Sequence, residues 1–127
     1  VASEISISTR LYAKKSYLVV DHNPGTFAVT LSGSTSAGGI VSIPTTAGGT
    51  ALSLDGITTA TMGYAFFRNI SATYSVQIGV RDASSNFLAF AKLKPGEVGL
   101  IRMNQTNPPY AIAITSAVDL QFTILAD

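Results

Sequence analysis

The run of residues 63–103, GYAFFRNISATYSVQIGVRDASSNFLAFAKLKPGEVGLIRM, leaves this chain few folds to choose from. Within it Tyr74, Val76, Ile78 and Val80 alternate with Ser75, Gln77 and Gly79. A period of two sends successive side chains to opposite sides of the backbone, which predicts a strand with one buried face. Four apolar runs separated by three turn signals predict strands near residues 64–69, 74–81, 87–93 and 98–103. Residues 82–86 predict a hairpin loop of about five residues. Lys94-Pro95-Gly96-Glu97 puts Pro and Gly at the centre of a type II turn, Pro presetting φ and Gly accepting a positive one. That turn splays paired strands, so the chain is expected to change sheet at Pro95.

The flanking sequence continues the pattern. Residues 2–9 alternate Ile5 and Ile7 with Ser6 and Ser8, which predicts a half-buried strand or an arm that pairs with a neighbouring subunit. Residues 11–20 predict a strand broken by Lys14 and Lys15, followed by a turn at Asp21-His22-Asn23-Pro24-Gly25 and a returning strand through Phe27, Val29 and Leu31. Residues 33–63, with Gly38-Gly39 and Gly48-Gly49 among many Ser and Thr, predict short strands in long loops. After a polar loop at residues 104–109, strands are expected at 110–114 and 118–125. In the last, Val118, Leu120, Phe122 and Ile124 alternate with Asp119, Gln121 and Thr123. Nine or ten short strands without a helical period describe an all-β chain, an antiparallel sandwich of jelly-roll kind. At 127 residues it is expected to be a single domain, 1–127, with residues 1–9 an N-terminal arm or edge strand.

Charge narrows the function. Charged residues are 12% of the chain, about half the roughly 25% usual for globular proteins. Between Asn23 and Phe67 the sole charged side chain is Asp55. Such a surface is accounted for by contact with other protein or by a neutral hydroxyl coat. A net charge of +1 with scattered basic residues supplies no stripe for a phosphate backbone, so no nucleic-acid partner is expected. No apolar run reaches the roughly 18–20 residues of a membrane span, and the N-terminus lacks a signal peptide's basic-then-apolar layout; a start at Val1 fits either a removed initiator methionine or a trimmed chain. Without cysteine, neither disulfides nor thiolate metal sites are available.

Catalytic constellations are not legible. His22, the single histidine, stands in a turn cluster, and no G-x-S-x-G elbow occurs. The carboxylates Glu4, Asp21, Asp55, Asp82, Glu97, Asp119 and Asp127 are each distant in sequence from the next. Asp82, Ser84 and Asn86 space oxygens as a calcium loop does, but no acidic residue follows to complete one, and a plain hairpin is expected. Two short glycosylation patterns occur, at Asn69 and Asn104. Phe66, Phe67, Phe87, Phe90 and Phe122 lie in strand runs and are expected in the core, with Tyr110 exposed; Arg68, Arg81, Lys92 and Arg102 are expected to guard strand edges. The chain is expected to be no enzyme and to carry no cofactor or metal.

The central stretch also resembles a group of known proteins. Gly63-Tyr64-Ala65-Phe66-Phe67-Arg68-Asn69, Ala72-Thr73, Ile78-Gly79-Val80, Lys92-Leu93-Lys94-Pro95-Gly96-Glu97 and Tyr110-Ala111 are similar to small β-rich virion proteins of tailed bacteriophages, over roughly residues 63–126. The resemblance implies a capsid decoration or cement protein, assembled in the bacterial cytoplasm and resident on the capsid surface. Its implied partners are major capsid protein subunits and its own copies, as a homo-oligomer such as a trimer at local symmetry axes. On that reading Glu4, Ile5 and Ile7 of the arm and the uncharged loops at Gly38, Gly39, Gly48 and Gly49 are the candidate interface. The rival reading is a tail- or fibre-associated or carbohydrate-binding module that recognises a host surface.

Overall fold

A computed structural model describes residues 4–127; the expected start of the first strand at Ala2 lies outside them. The described residues form ten strands and one short 3-10 turn at Thr59–Thr61, with no α-helix. All strand pairs are antiparallel. Two compact units result, one ending at Ser32 and the other spanning Gly33–Asp127.

The first unit is a hairpin of β1 (Ile5–Lys15) and β2 (Leu18–Val29). The reversal falls at Ser16 and Tyr17, where Ser16 takes a φ of 54°. The turn expected at residues 21–25 is therefore corrected: those residues lie inside β2. Their turn chemistry makes a bulge instead. Between the pairs Thr9 with Gly25 and Leu11 with His22, β2 places two residues, Asn23 and Pro24, against the one, Arg10, on β1. Gly25 supplies the positive φ of 78°, and its N–H donates to Asn23 Oδ1 at 3.2 Å.

The second unit holds two four-stranded sheets. One has the order β3-β10-β5-β8, from Ser36–Ile43, Val118–Ala126, Met62–Asn69 and Val98–Arg102. The other has the order β4-β9-β6-β7, from Thr50–Ala51, Tyr110–Ala113, Val76–Arg81 and Phe87–Leu93. The chain does pass from one sheet to the other at Pro95, and residues 82–86 do close the β6–β7 hairpin. The alternation in β10 puts Val118, Leu120, Phe122 and Ile124 in the core while Asp119 and Thr123 stay exposed. A single buried cluster draws residues from both sheets, among them Ile43, Phe67, Val76, Ile78, Ala111 and Leu120.

Gly38 and Gly39 are a second correction. They lie within β3, opposite Thr123 and Phe122 of β10, and not in a loop. A side chain on Gly38 would sit 2.2 Å from the Phe122 carbonyl oxygen, so only glycine lets β3 come this close to β10.

Asn69 is the polar residue buried in this core. Its Nδ2 donates to the carbonyls of Tyr74 at 2.9 Å and Leu93 at 3.0 Å, and its Oδ1 accepts from Ser71 N–H at 3.0 Å. Its backbone N–H donates to Glu97, and its carbonyl accepts from Gly96 N–H. One residue thus joins, through its side chain, the end of β5 to the approach to β6 and the end of β7, and, through its backbone, to the Pro95-Gly96 turn. Asn69→Ala leaves two carbonyls and one N–H without these partners, and unfolding in urea should show a loss of about 2–4 kcal/mol. Asn69→Asp, which turns an acceptor towards two carbonyls, should cost more.

Candidate functional site

The hairpin's register sorts its side chains into two unlike faces. Directly opposed residues in an antiparallel pair share a side, and alternate residues along a strand share it too. One face therefore collects Ile5, Ile7, Thr9, Leu11, Ala13 and Lys15 of β1 with Val29, Phe27, Gly25, His22, Val20 and Leu18 of β2 and is mostly apolar. The other collects Ser6, Ser8, Arg10, Tyr12 and Lys14 with Ala28, Thr26, Asp21 and Val19.

The polar face is cross-linked along its length. Arg10 Nε and Nη2 each donate to one oxygen of Asp21 at 3.0 Å, the guanidinium lies 5.2 Å from the ring centre of Tyr12, and the Ser8 and Thr26 hydroxyls bond each other. Solvent-exposed pairs of this kind contribute about 0.2–1 kcal/mol each.

The apolar face differs from end to end. At the base Ile5 and Ile7 are buried, and Glu4 Oε2 accepts from Leu31 N–H at 2.9 Å. Beyond the bulge the same face is uncovered: Leu11 is 61% exposed and Leu18 57%, with His22 opposite Leu11 and Lys15 opposite Leu18, whereas Phe27, 43% exposed, lies on the base side of the bulge opposite Ile7. Tyr17 at the tip is fully exposed. An isolated two-stranded ribbon is marginal in water, and an uncovered apolar face on one is a candidate contact surface. The candidate site is this distal face, Leu11, Ala13, Leu18 and Val20.

The residues expected as an interface are thus not brought together. Ile5 and Ile7 share a strand with Leu11 but are already covered, and Glu4 closes the hairpin base. Gly38 and Gly39 are exposed on β3. Gly48 and Gly49 form a turn whose carbonyls accept from Arg81, Nε to Gly48 at 2.9 Å and Nη2 to Gly49 at 2.8 Å. Arg81 also lies 4.3 Å from the ring centre of Tyr110. The expected edge guard is therefore a tether, and Tyr110, expected to be exposed, is half-buried beneath it. Arg102 likewise bonds Asp127 and stacks on Tyr64 at 4.5 Å, and the bond to Asp127 raises its pKa further. Of the five phenylalanines expected in the core, Phe67 and Phe122 are buried, whereas Phe90 is 49% exposed.

Polar chemistry is committed to structure. His22 is exposed on β2, and no group of three or more His, Asp or Glu gathers among the described residues. Asp82 Oδ1 accepts from the N–H groups of Asn86 at 2.8 Å and Ser84 at 2.9 Å, and Oδ2 from Asn86 Nδ2 at 3.1 Å. Asn69 is buried with its amide bonded, so the first glycosylation pattern is not presented. Among the described residues no helix is long and apolar enough to cross a membrane. No family model, curated protein or solved structure matches the chain.

The bonds from Asn86, backbone first and side chain second, with the Ser84 N–H, hold the Asp82 carboxyl below the ordinary aspartate value. A carboxyl with a depressed folded-state pKa stabilises the loop fully above the unfolded value of about 3.9, and the effect is lost as pH falls through the folded value. A carboxyl NMR titration should place the Asp82 midpoint below that of an unstructured aspartate. Asp82→Asn should remove the acid-dependent rise in exchange at the Ser84 and Asn86 amides.

Proposed function

We propose that this chain is a structural virion protein that decorates and cements a phage capsid, and that the distal apolar face of its β1–β2 hairpin lies against capsid subunits. The observation that carries this reading is the half-covered hairpin. Its apolar face is sealed at Ile5 and Ile7 and open at Leu11 and Leu18, while the opposite face is tied by Arg10, Asp21, Ser8 and Thr26. A ribbon stiffened on its polar side presents its apolar side at little cost in lost freedom on binding.

The strand order of the second unit supports the same reading. Counted from β3 as the first of eight, the sheets run 1-8-3-6 and 2-7-4-5, the order of a jelly roll made of two nested Greek keys. With the shared buried cluster, this favours a jelly-roll sandwich, an architecture used by viral coat domains among others. Fold alone carries no function. The resemblance of residues 63–126 to phage virion proteins supplies the class, and the hairpin supplies the means. Full burial of a leucine contributes about 1.5–3 kcal/mol, so one half-exposed face gives modest affinity, and several linked copies on a shell gain the rest through effective concentration.

Co-sedimentation with undecorated capsid shells tests the reading. The native chain should bind saturably at a fixed copy number per capsomer. Leu11→Ser with Leu18→Ser should lower the affinity about 10- to 100-fold, while Thr26→Ser on the polar face leaves it unchanged. Adsorption to host cells or to a glycan array without binding to shells would replace this reading by host recognition.

A further inference from the structure

We propose that the free edge of β8 pairs with the β8 edge of a second copy about a twofold axis at Leu100, each copy's Ile101 filling a cavity beside the partner's Gly99. The argument rests on the second unit alone and does not depend on the capsid reading.

The register of β8 on β5 fixes which of its backbone groups are unused. Residue pairs run Tyr64 with Arg102 to Arg68 with Val98, without a shift. Met103 N–H donates to Gly63 and Asn69 N–H to Glu97, the next pairs in register on either side. Odd-numbered residues of β8 therefore bond to β5, because inward and outward groups alternate along an antiparallel strand. Val98, Leu100 and Arg102 turn N–H and C=O away from β5, at the edge of the sheet.

The other sheet edges of the second unit are unsuited to pairing. β4 has two residues, β3 carries Gly38 and Gly39 in conformations with φ of 153° and 148°, and β7 is bulged. In β7, Ala89 faces Gly79 and Ala91 faces Ile78, which leaves Phe90 as the extra residue. β8 is the regular edge, and it is apolar: Val98, Leu100 and Ile101 are 53%, 42% and 48% exposed.

Ile101 identifies the occupant. It faces the core side of its sheet, opposite fully buried Ala65, yet stays half-exposed because no strand lies beyond it. One residue pair along, Gly99 borders a cavity of about 220 Å³ lined also by Phe67, Ile78, Phe90 and Leu93 and by the same copy's Leu100 and Ile101. A twofold axis at Leu100 sets residue 101 of one copy against residue 99 of the other. That pair does not exchange hydrogen bonds, so its side chains approach most closely. Knob and hole thus stand in register, twice per dimer. Leu100 faces its own copy, and Arg102 meets the partner's Val98, so no like charges are opposed. The unused groups of Val98, Leu100 and Arg102 are paired in both copies at once.

The test uses the full chain. A side chain on Gly99 would find its nearest neighbour, Leu93 Cδ2, at an ordinary 3.6 Å, so Gly99→Val should keep the fold and its urea midpoint. In sedimentation equilibrium the native chain should give twice its 13.2 kDa, and Gly99→Val should weaken the dimer about 10- to 100-fold by filling the hole. Because the chain lacks cysteine, Leu100→Cys is a single-thiol variant. Its Cα atoms would lie about 5.5 Å apart across the axis, within disulfide range. It should form a covalent dimer on mild oxidation faster than Ser84→Cys in the exposed β6–β7 loop. A native monomer at about 100 μM, a trimer, a Gly99→Val dimer of native affinity, or equal cross-linking of the two thiols would each overturn the proposal.

Discussion

The second unit depends on how two antiparallel sheets are connected where the chain crosses between them, and Asn69 makes that connection. A buried amide is costly unless all its polar atoms find partners, and here each does. The carbonyl of Leu93, at the end of β7, receives a donor from the end of β5, a strand of the other sheet. The backbone of the same residue bonds Gly96 and Glu97 in the turn that changes sheet. Apolar packing alone would tolerate several settings of one sheet against the other. A directional network at the crossover admits one, which is the service a fully satisfied buried polar group performs.

Most strands were legible because half-burial writes a period of two into the sequence. β10 and β6 carried it clearly, and both lie where the alternation placed them. The sheet change at Pro95 followed from turn geometry. What was not legible arose from contacts between distant residues. Asp21 to Gly25 had the composition of a turn, yet cross-strand pairing with residues 9–12 held them in a strand and spent that chemistry on a bulge. Arg81 gave no hint of Gly48 and Gly49, some thirty residues away, whose carbonyls it binds. Asn69 read as a glycosylation pattern, since sequence does not show that an asparagine will be enclosed.

The candidate site was half legible for the same reason. Ile5 and Ile7 announced an apolar strand face, and that face exists. Which part is covered depends on the tertiary fold, and the open part begins beyond the bulge, at Leu11. The expected arm residues Ile5 and Ile7 thus share a strand with the open face but lie at its covered end. The residues that would have pointed further along, Leu11 and Leu18, are separated in sequence by the two lysines that made this run look interrupted.

Low charge acquires a physical meaning from these surfaces. A chain with 12% charged residues has few means of protecting exposed apolar groups, and two of the surfaces that carry them are built from neighbouring strand residues. One is the open hairpin face, the other the regular edge of β8. The remaining sheet edges of the second unit are shortened, bulged or distorted by glycine, the devices by which β proteins resist unwanted pairing. Where three edges of that unit are blunted and the fourth is straight, apolar and beside a cavity, the straight edge is the exception that calls for a partner. Two separate surfaces also permit two separate kinds of contact, one between copies and one with a larger assembly. A dimer linked through β8 would present two hairpins, and a second hairpin engaging from the same molecule gains the effective-concentration advantage that a single modest apolar face lacks.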